Sequence, residues 1–163
     1  MSLTERYRTY YDYEKDCNEK MLAMLDSVPE ASRGDARFQK AVTLAGHLAA
    51  VRENWLDHMD GSSDQQVAWF DPQCDFATLR PRFASLESRW TDYLSRLGED
   101  QLAGEFEFAE SGQRFRLPTE VQIVQLFAHA GYHRGQIALL VDQLGGETVD
   151  TDYVYWAVPE SAG

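Results

Sequence analysis

Four stretches of this chain, each roughly 22 to 27 residues long, bring apolar side chains round every three or four positions, the period of an α-helix with one buried face. Such a helix must lay its stripe against another element, and four in succession have few arrangements open to them. The first runs from Leu3 to about Leu25, with Tyr7, Tyr10, Tyr11, Met21, Met24 and Leu25 on its stripe and Ser2 or Thr4 as N-cap. Val28-Pro29-Glu30 through Gly34-Asp35 interrupts it. The second, from about Ala36 to Met59, carries Val42, Ala45, Leu48, Ala49, Trp55, Leu56 and Met59 and stops at Asp60-Gly61-Ser62-Ser63-Asp64. The third spans about Phe76 to Leu97, with Pro81 in its early turns, where a missing N–H costs least, and Gly98 as a C-cap. The fourth opens at Pro118-Thr119-Glu120, continues to about Leu144 and ends at Gly145-Gly146. The expected fold is all-α, a four-helix bundle in one domain over residues 1–163.

One segment breaks the helical period. Between Glu105 and Leu117, Phe106, Phe108, Phe115 and Leu117 alternate with polar residues around Ser111-Gly112, which reads as a short β-hairpin between the third and fourth helices. Trp69-Phe70-Asp71-Pro72 reads as an aromatic loop or a short turn of helix. The tail around Tyr153-Val154-Tyr155-Trp156 is too aromatic to be free and is expected to pack back on the bundle.

Charge narrows the function. Fifteen lysines and arginines face 27 aspartates and glutamates, a formal net charge of −12. Nucleic-acid affinity comes largely from basic groups neutralising phosphates, so a duplex is not an expected partner. Anionic membrane surfaces are disfavoured for the same reason, and no window holds the ~18 consecutive apolar residues of a membrane span. The N-terminus lacks a basic start followed by an apolar run, so the cytoplasm is the expected location. Cys17 and Cys74 are too few and too isolated for a disulfide framework or a thiolate metal site, and read as free thiols.

Four histidines occur, and their placement is the most informative feature. His129 and His133 lie four apart on the fourth helix, so their side chains share one face and reach one metal ion. Both sit in the most apolar helix, between Ile123-Val124-Gln125-Leu126-Phe127 and Ile137-Ala138-Leu139-Leu140-Val141, where a ring nitrogen needs a partner. A metal is one such partner; a backbone carbonyl or a carboxylate is the plainer one. His47 is the natural third ligand, mid-helix among Leu44, Leu48 and Val51 with small residues around it. Gly46 beside it costs about 1 kcal/mol in a helix interior, which points to a close approach by another group. Gly135 points the same way, to a neighbouring helix. His58 follows 11 residues later, ~16 Å along the axis, too far to share the ion, and reads as a solvated or capping residue beside Asp57 and Asp60. Arg134 and Gln136 read either as groups supporting the site or as a surface salt-bridge partner and an ordinary polar helix residue. Trp55, Trp69, Phe70 and Trp90 read as core or pocket wall, and Tyr132 as a packing residue. No residue presents itself as a general base.

The run His129-Ala-Gly-Tyr-His133-Arg134-Gly135-Gln136-Ile137, with Gly46-His47 some 80 residues earlier, resembles the DinB family of the DinB/YfiT-like metalloenzymes. Leu144-Gly145 and the Thr151-Asp152-Tyr153 tail also look like that family's ending, and the element order agrees over essentially the whole chain. The resemblance implies an up-down-down-up bundle, often homodimeric, whose metal, usually nickel or zinc, would be held by His47, His129 and His133 with water completing the sphere. It further implies thiol-dependent S-transferases or isomerases working through a low-molecular-weight thiol. Two readings of this chain follow: a small metal-dependent enzyme of thiol S-transferase or hydrolase type acting on a small-molecule substrate, or a non-catalytic metal-binding or stress-response module.

Overall fold

The computed structural model describes residues 1–61 and 66–158. Each long helix starts on a side chain that satisfies orphan N–H groups or on a residue without one. Helix α1 (Leu3–Ser27) begins with a capping box: the Ser2 hydroxyl accepts from the Glu5 N–H, and the Glu5 carboxylate accepts from the Ser2 N–H. Asp35 caps α2 (Ala36–Asp60) and Asp75 caps α3 (Phe76–Arg96) in the same sense, each accepting from the N–H two residues on. Between α1 and α2 lies one 3-10 turn, Glu30–Ser32.

Gly98 has extended backbone (φ −90°) and starts the short α4 (Glu99–Leu102), while α3 ends at Leu97. The expected C-cap glycine is thus the N-cap of the next element. Strands β1 (Glu105–Glu110) and β2 (Gln113–Pro118) pair antiparallel with Phe108 opposite Phe115 and Phe106 opposite Leu117. Ser111 (φ 50°) and Gly112 (φ 78°) form the two-residue turn, whose left-handed backbone matches the twist of the strands. Helix α5 (Thr119–Gln143) closes with a Schellman arrangement: Gly145 takes φ 79°, its N–H donates to the Asp142 carbonyl, and the Gly146 N–H donates to Val141. A last short helix, α6 (Tyr153–Ala157), sets Tyr153 against Tyr10 (4.8 Å between centroids) and Trp156 against Tyr13, so the aromatic tail does pack back.

Cross-helix pairs fix the helix directions. Thr4 and Arg8 at the start of α1 bond to Glu99 and to the Leu94 carbonyl at the end of α3, while Glu19 near the other end of α1 meets Arg80. Those two helices are antiparallel. Tyr7 meets Glu120 and Ser27 meets Glu147, so α1 and α5 are parallel. Gln39 holds the Cys74 carbonyl just before α3, and the Glu53–Arg82 and Asp57–Arg89 pairs follow further along, so α2 and α3 run together. The order is up-down-down-up, with α1 and α2 each flanked by α3 and α5 and facing each other across the centre. Leu48, Leu79, Phe83, Leu86, Ile123 and Ile137 fill the interior. No described helix is long and apolar enough to cross a membrane.

Across that centre lies an ionic cluster the sequence reading did not anticipate. Glu14 of α1, 1% exposed, accepts from Arg52 of α2 and from both terminal nitrogens of Arg134 of α5 (3.0 and 2.9 Å). Arg52 also donates to Asn18 (2.9 Å), which donates to Glu87. Arg134 is therefore a salt-bridge partner in the core and not on the surface. Removing one member of a buried cluster leaves charge without a counter-charge, at about 3–5 kcal/mol, whereas a half-exposed pair such as Lys15–Asp12 is worth at most about 1 kcal/mol. Urea unfolding is expected to show a loss of that larger size for Glu14→Gln and almost none for Asp12→Asn; comparable losses would remove the cluster from the account of stability.

Candidate metal centre

The three histidines expected to meet do meet. His47 is carried by α2, and His129 and His133 by α5, which packs antiparallel beside it. His47 Nε2 lies 3.2 Å from His129 Nε2, and His133 Nε2 lies 3.1 Å from the same atom. One ligand atom from each ring falls within 4.8 Å of the other two, and among the described residues no carboxylate or thiol joins this group. His47 and His133 are nearly buried, at 7% and 9% exposure, and His129 is half-buried.

The outer ring nitrogens settle which face of each imidazole points inward. His47 Nδ1 lies 2.6 Å from the Trp69 carbonyl oxygen, which can only accept, so Nδ1 carries the hydrogen. His133 Nδ1 donates likewise to the Gln136 side-chain oxygen at 2.7 Å. Both neutral rings then present a bare Nε2 lone pair to His129. That residue's Nε2 carries at most one hydrogen and cannot serve two acceptors, so at least one close nitrogen pair has no hydrogen between its atoms. A shared cation resolves the conflict: nitrogens bound to one divalent ion at about 2.0–2.1 Å sit about 3–3.4 Å from one another. The donor set fits such an ion. Holding the far nitrogen by a carbonyl is also how ligating imidazoles are ordinarily oriented.

Electrostatics agree with neutral ligands. Burial pushes His129 down from 6.5 to about 4, helped by the neighbouring His133, His47 and Arg52 charges. Burial lowers His47 too, partly offset by its bond to Trp69. Phe70, 54% exposed, stacks on the His47 ring at 3.8 Å and 8°, and Tyr132, also exposed, meets His133 edge-on at 5.0 Å.

Other sequence-level expectations fare differently. His58 is neither a cap nor free in solvent: it is half-buried against Trp55 and Phe108 and meets Gln66. Trp90 lies in the core and Trp55 packs under the hairpin, whereas Phe70 belongs to the histidine cluster. A Cβ on Gly46 would come 2.6 Å from Cys74 Sγ, the close approach its position implied; one on Gly135 meets nothing within 4 Å, so no neighbouring helix of this chain explains that glycine. Cys17 and Cys74 are free, buried thiols held protonated by burial. Ser62 to Asp64, read as part of a loop, lie outside the described residues.

Up-down-down-up packing defines a helical-bundle protein in which three converging imidazoles form a group that could hold a metal ion. The family model described as DinB family matches residues 1–161, essentially the whole chain, and the protein belongs to that family. No curated protein and no solved structure gives a significant match.

A half-buried His129 whose protonation the fold disfavours makes the metal-free protein sensitive to acid. Its pKa is lower folded (about 4) than unfolded (6.5), so below 6.5 the unfolded chain binds a proton that the fold refuses. Its share of stability is intact above 6.5 and is lost as pH falls towards 4. The thermal midpoint of metal-free protein is expected to fall from pH 7 to pH 5 by more in the wild type than in His129→Gln. Equal falls would mean that His129 is not held neutral.

Proposed function

We propose that this DinB-family protein binds one divalent transition ion, nickel or zinc, through His47, His129 and His133, and that it is a metal-dependent enzyme of thiol S-transferase or hydrolase type. The observation that carries the reading is the division of ring nitrogens: the outer Nδ1 atoms of His47 and His133 are satisfied, while their Nε2 atoms each lie 3.1–3.2 Å from His129 Nε2 without enough hydrogens to go round. An ion in that position supplies Lewis acidity and draws the pKa of a bound water or thiol down towards neutrality.

The chain's own residues do the rest. Three uncharged ligands leave the ion its full positive charge, and three ligands leave coordination positions for a small molecule. Trp69 and Gln136 fix two rings by their outer nitrogens. The exposed faces of Phe70 and Tyr132 flank the cluster and would shield a bound low-molecular-weight thiol or small substrate from water.

Purified protein is expected to retain close to one equivalent of metal, lost on His47→Ala or His129→Ala. With cobalt substituted, adding a low-molecular-weight thiol is expected to produce a thiolate-to-metal absorption band. Retention of cobalt with no thiol-dependent change, and no hydrolysis of simple esters, would leave the non-catalytic metal-binding or stress-response module as the function.

A homodimer is part of the same proposal. Val121, Val124, Ala128, Tyr132, Gly135 and Leu139 recur at helical spacing along one exposed stripe of α5, beside the histidine pair. A second copy packing on that stripe would account for Gly135. Sedimentation is expected to give a dimer that Leu139→Glu converts to monomer; a monomeric wild type would remove this part of the reading.

A further inference from the structure

The segment from Gln66 to Asp75, between the close of α2 and the start of α3, runs back along α2 as an irregular strap. Its contacts with α2 come in reverse order. Asn54, fully buried at 0% exposure, grips Val67 like a paired backbone: its side-chain nitrogen donates to the Val67 carbonyl and its oxygen accepts from the Val67 N–H, both at 2.9 Å. Two helical turns back, the Trp69 carbonyl takes the His47 Nδ1–H and Phe70 lies flat on the ring. At the far end Gln39 donates to the Cys74 carbonyl at 3.0 Å, and Cys74 Sγ occupies the space that a side chain on residue 46 would need. Asp71 stiffens the stretch between, its side chain accepting from the Gln73 N–H and its carbonyl from the Cys74 N–H.

We infer that Asn54 and Gly46 are positioning residues for His47: through the strap they decide which ring nitrogen carries the hydrogen and which faces His129. The chain of cause is short. Val67 is itself exposed, so its backbone has water as an alternative partner, and only the double bond to Asn54 makes it keep its place. Trp69 is two residues further on and inherits that place. A residue with a side chain at 46 would lift the other end of the strap off the helix. With the strap displaced, nothing fixes the hydrogen on Nδ1, and a ring with its hydrogen on Nε2 turns a donor towards the other histidines. The purpose of the bare Nε2 rests on the metal-binding reading above; the strap's hold on the ring does not.

Nitrogen-15 NMR of the imidazoles in metal-free protein at pH 8 tests the inference, paired with zinc titration. In the wild type, His47 is expected as the Nδ1–H tautomer alone. Asn54→Leu, close in size but unable to bond to Val67, is expected to give a mixture with Nε2–H and to weaken zinc binding by about 10- to 100-fold, the usual consequence of losing the partner that orients a ligating histidine. Gly46→Ala is expected to do the same, and Gly46→Ala combined with Cys74→Ala, which removes the obstructing sulfur, to restore both the tautomer and the affinity. An unchanged His47 tautomer in a folded Asn54→Leu, or in Gly46→Ala should Asn54→Leu fail to fold, would overturn the inference even with zinc bound normally. A wild type that binds no zinc would remove the metal reading alone, since the tautomer would still show whether the strap governs the ring.

Discussion

Glu14 is the point on which the geometry of the centre turns. Its carboxylate takes one guanidinium from α2 and one from α5, the two helices that supply the histidines, and it stands on neither. Arg52 lies five residues beyond His47, about 7.5 Å along the helix, and Arg134 is the neighbour of His133. Apolar burial is indifferent to small slides, because it depends on area and not on direction. Charge-assisted bonds to one buried carboxylate are directional and short. A slide of one helical turn between α2 and α5, 5.4 Å, would exceed the whole 3.2 Å gap between His47 and His129 while leaving much of the apolar contact in place. The ionic cluster is thus a register device, one for which packing alone has no substitute.

It also shapes the field at the centre. Two guanidiniums converge on the Glu14 carboxylate, with the Glu87 carboxylate reached through Asn18, and of these charges Arg52 contributes to lowering His129. The Arg52 charge disfavours the protonated form of His129 and would oppose an incoming cation too, so an ion bound here would be held by its nitrogen ligands and not by general attraction. The residues that set the register therefore also act on the electrostatics of His129.

Helices, hairpin and tail were legible because each is written in local spacing: the three-to-four period, the alternation around Ser111-Gly112 and the aromatic run at Tyr153-Trp156. Among the capping residues, Gly98 was misread because a glycine after a helix resembles a C-cap until one sees that its φ is negative and that a new helix follows at once. His129 and His133 were legible as a pair through their separation. Their junction with His47 was not a matter of spacing, since it depends on how α2 and α5 sit side by side. Gln136 was legible as a candidate support and does hold His133, whereas the Glu14 cluster and the Trp69 carbonyl escaped. Yet a signal existed: Glu14 falls on the stripe with Tyr7, Tyr11, Met21 and Leu25, and Arg52 on that with Ala45, Leu48 and Leu56. A charge on an apolar stripe must find a counter-charge inside. The Trp69 carbonyl left no such trace, because a backbone acceptor has no residue type by which to recognise it.

The division of labour among the helices bears on whether the site is structural or chemical. An ion that served to hold this bundle together would be most useful between elements with no other tie. Here α2 and α5 already share an extensive apolar seam and the Glu14 cluster, while α1 and α3 provide no ligand at all. Three ligands on an already secured pair of helices add little to cohesion. Among the described residues a bound ion would find three protein ligands, short of the four by which structural zinc sites close themselves. With His129 half-buried and Phe70 and Tyr132 exposed beside it, the cluster sits at a wall of the bundle and not at its axis. Three described ligands at an accessible wall, on helices already secured by other contacts, are what the proposed chemical role would require and what a purely cohesive role would not.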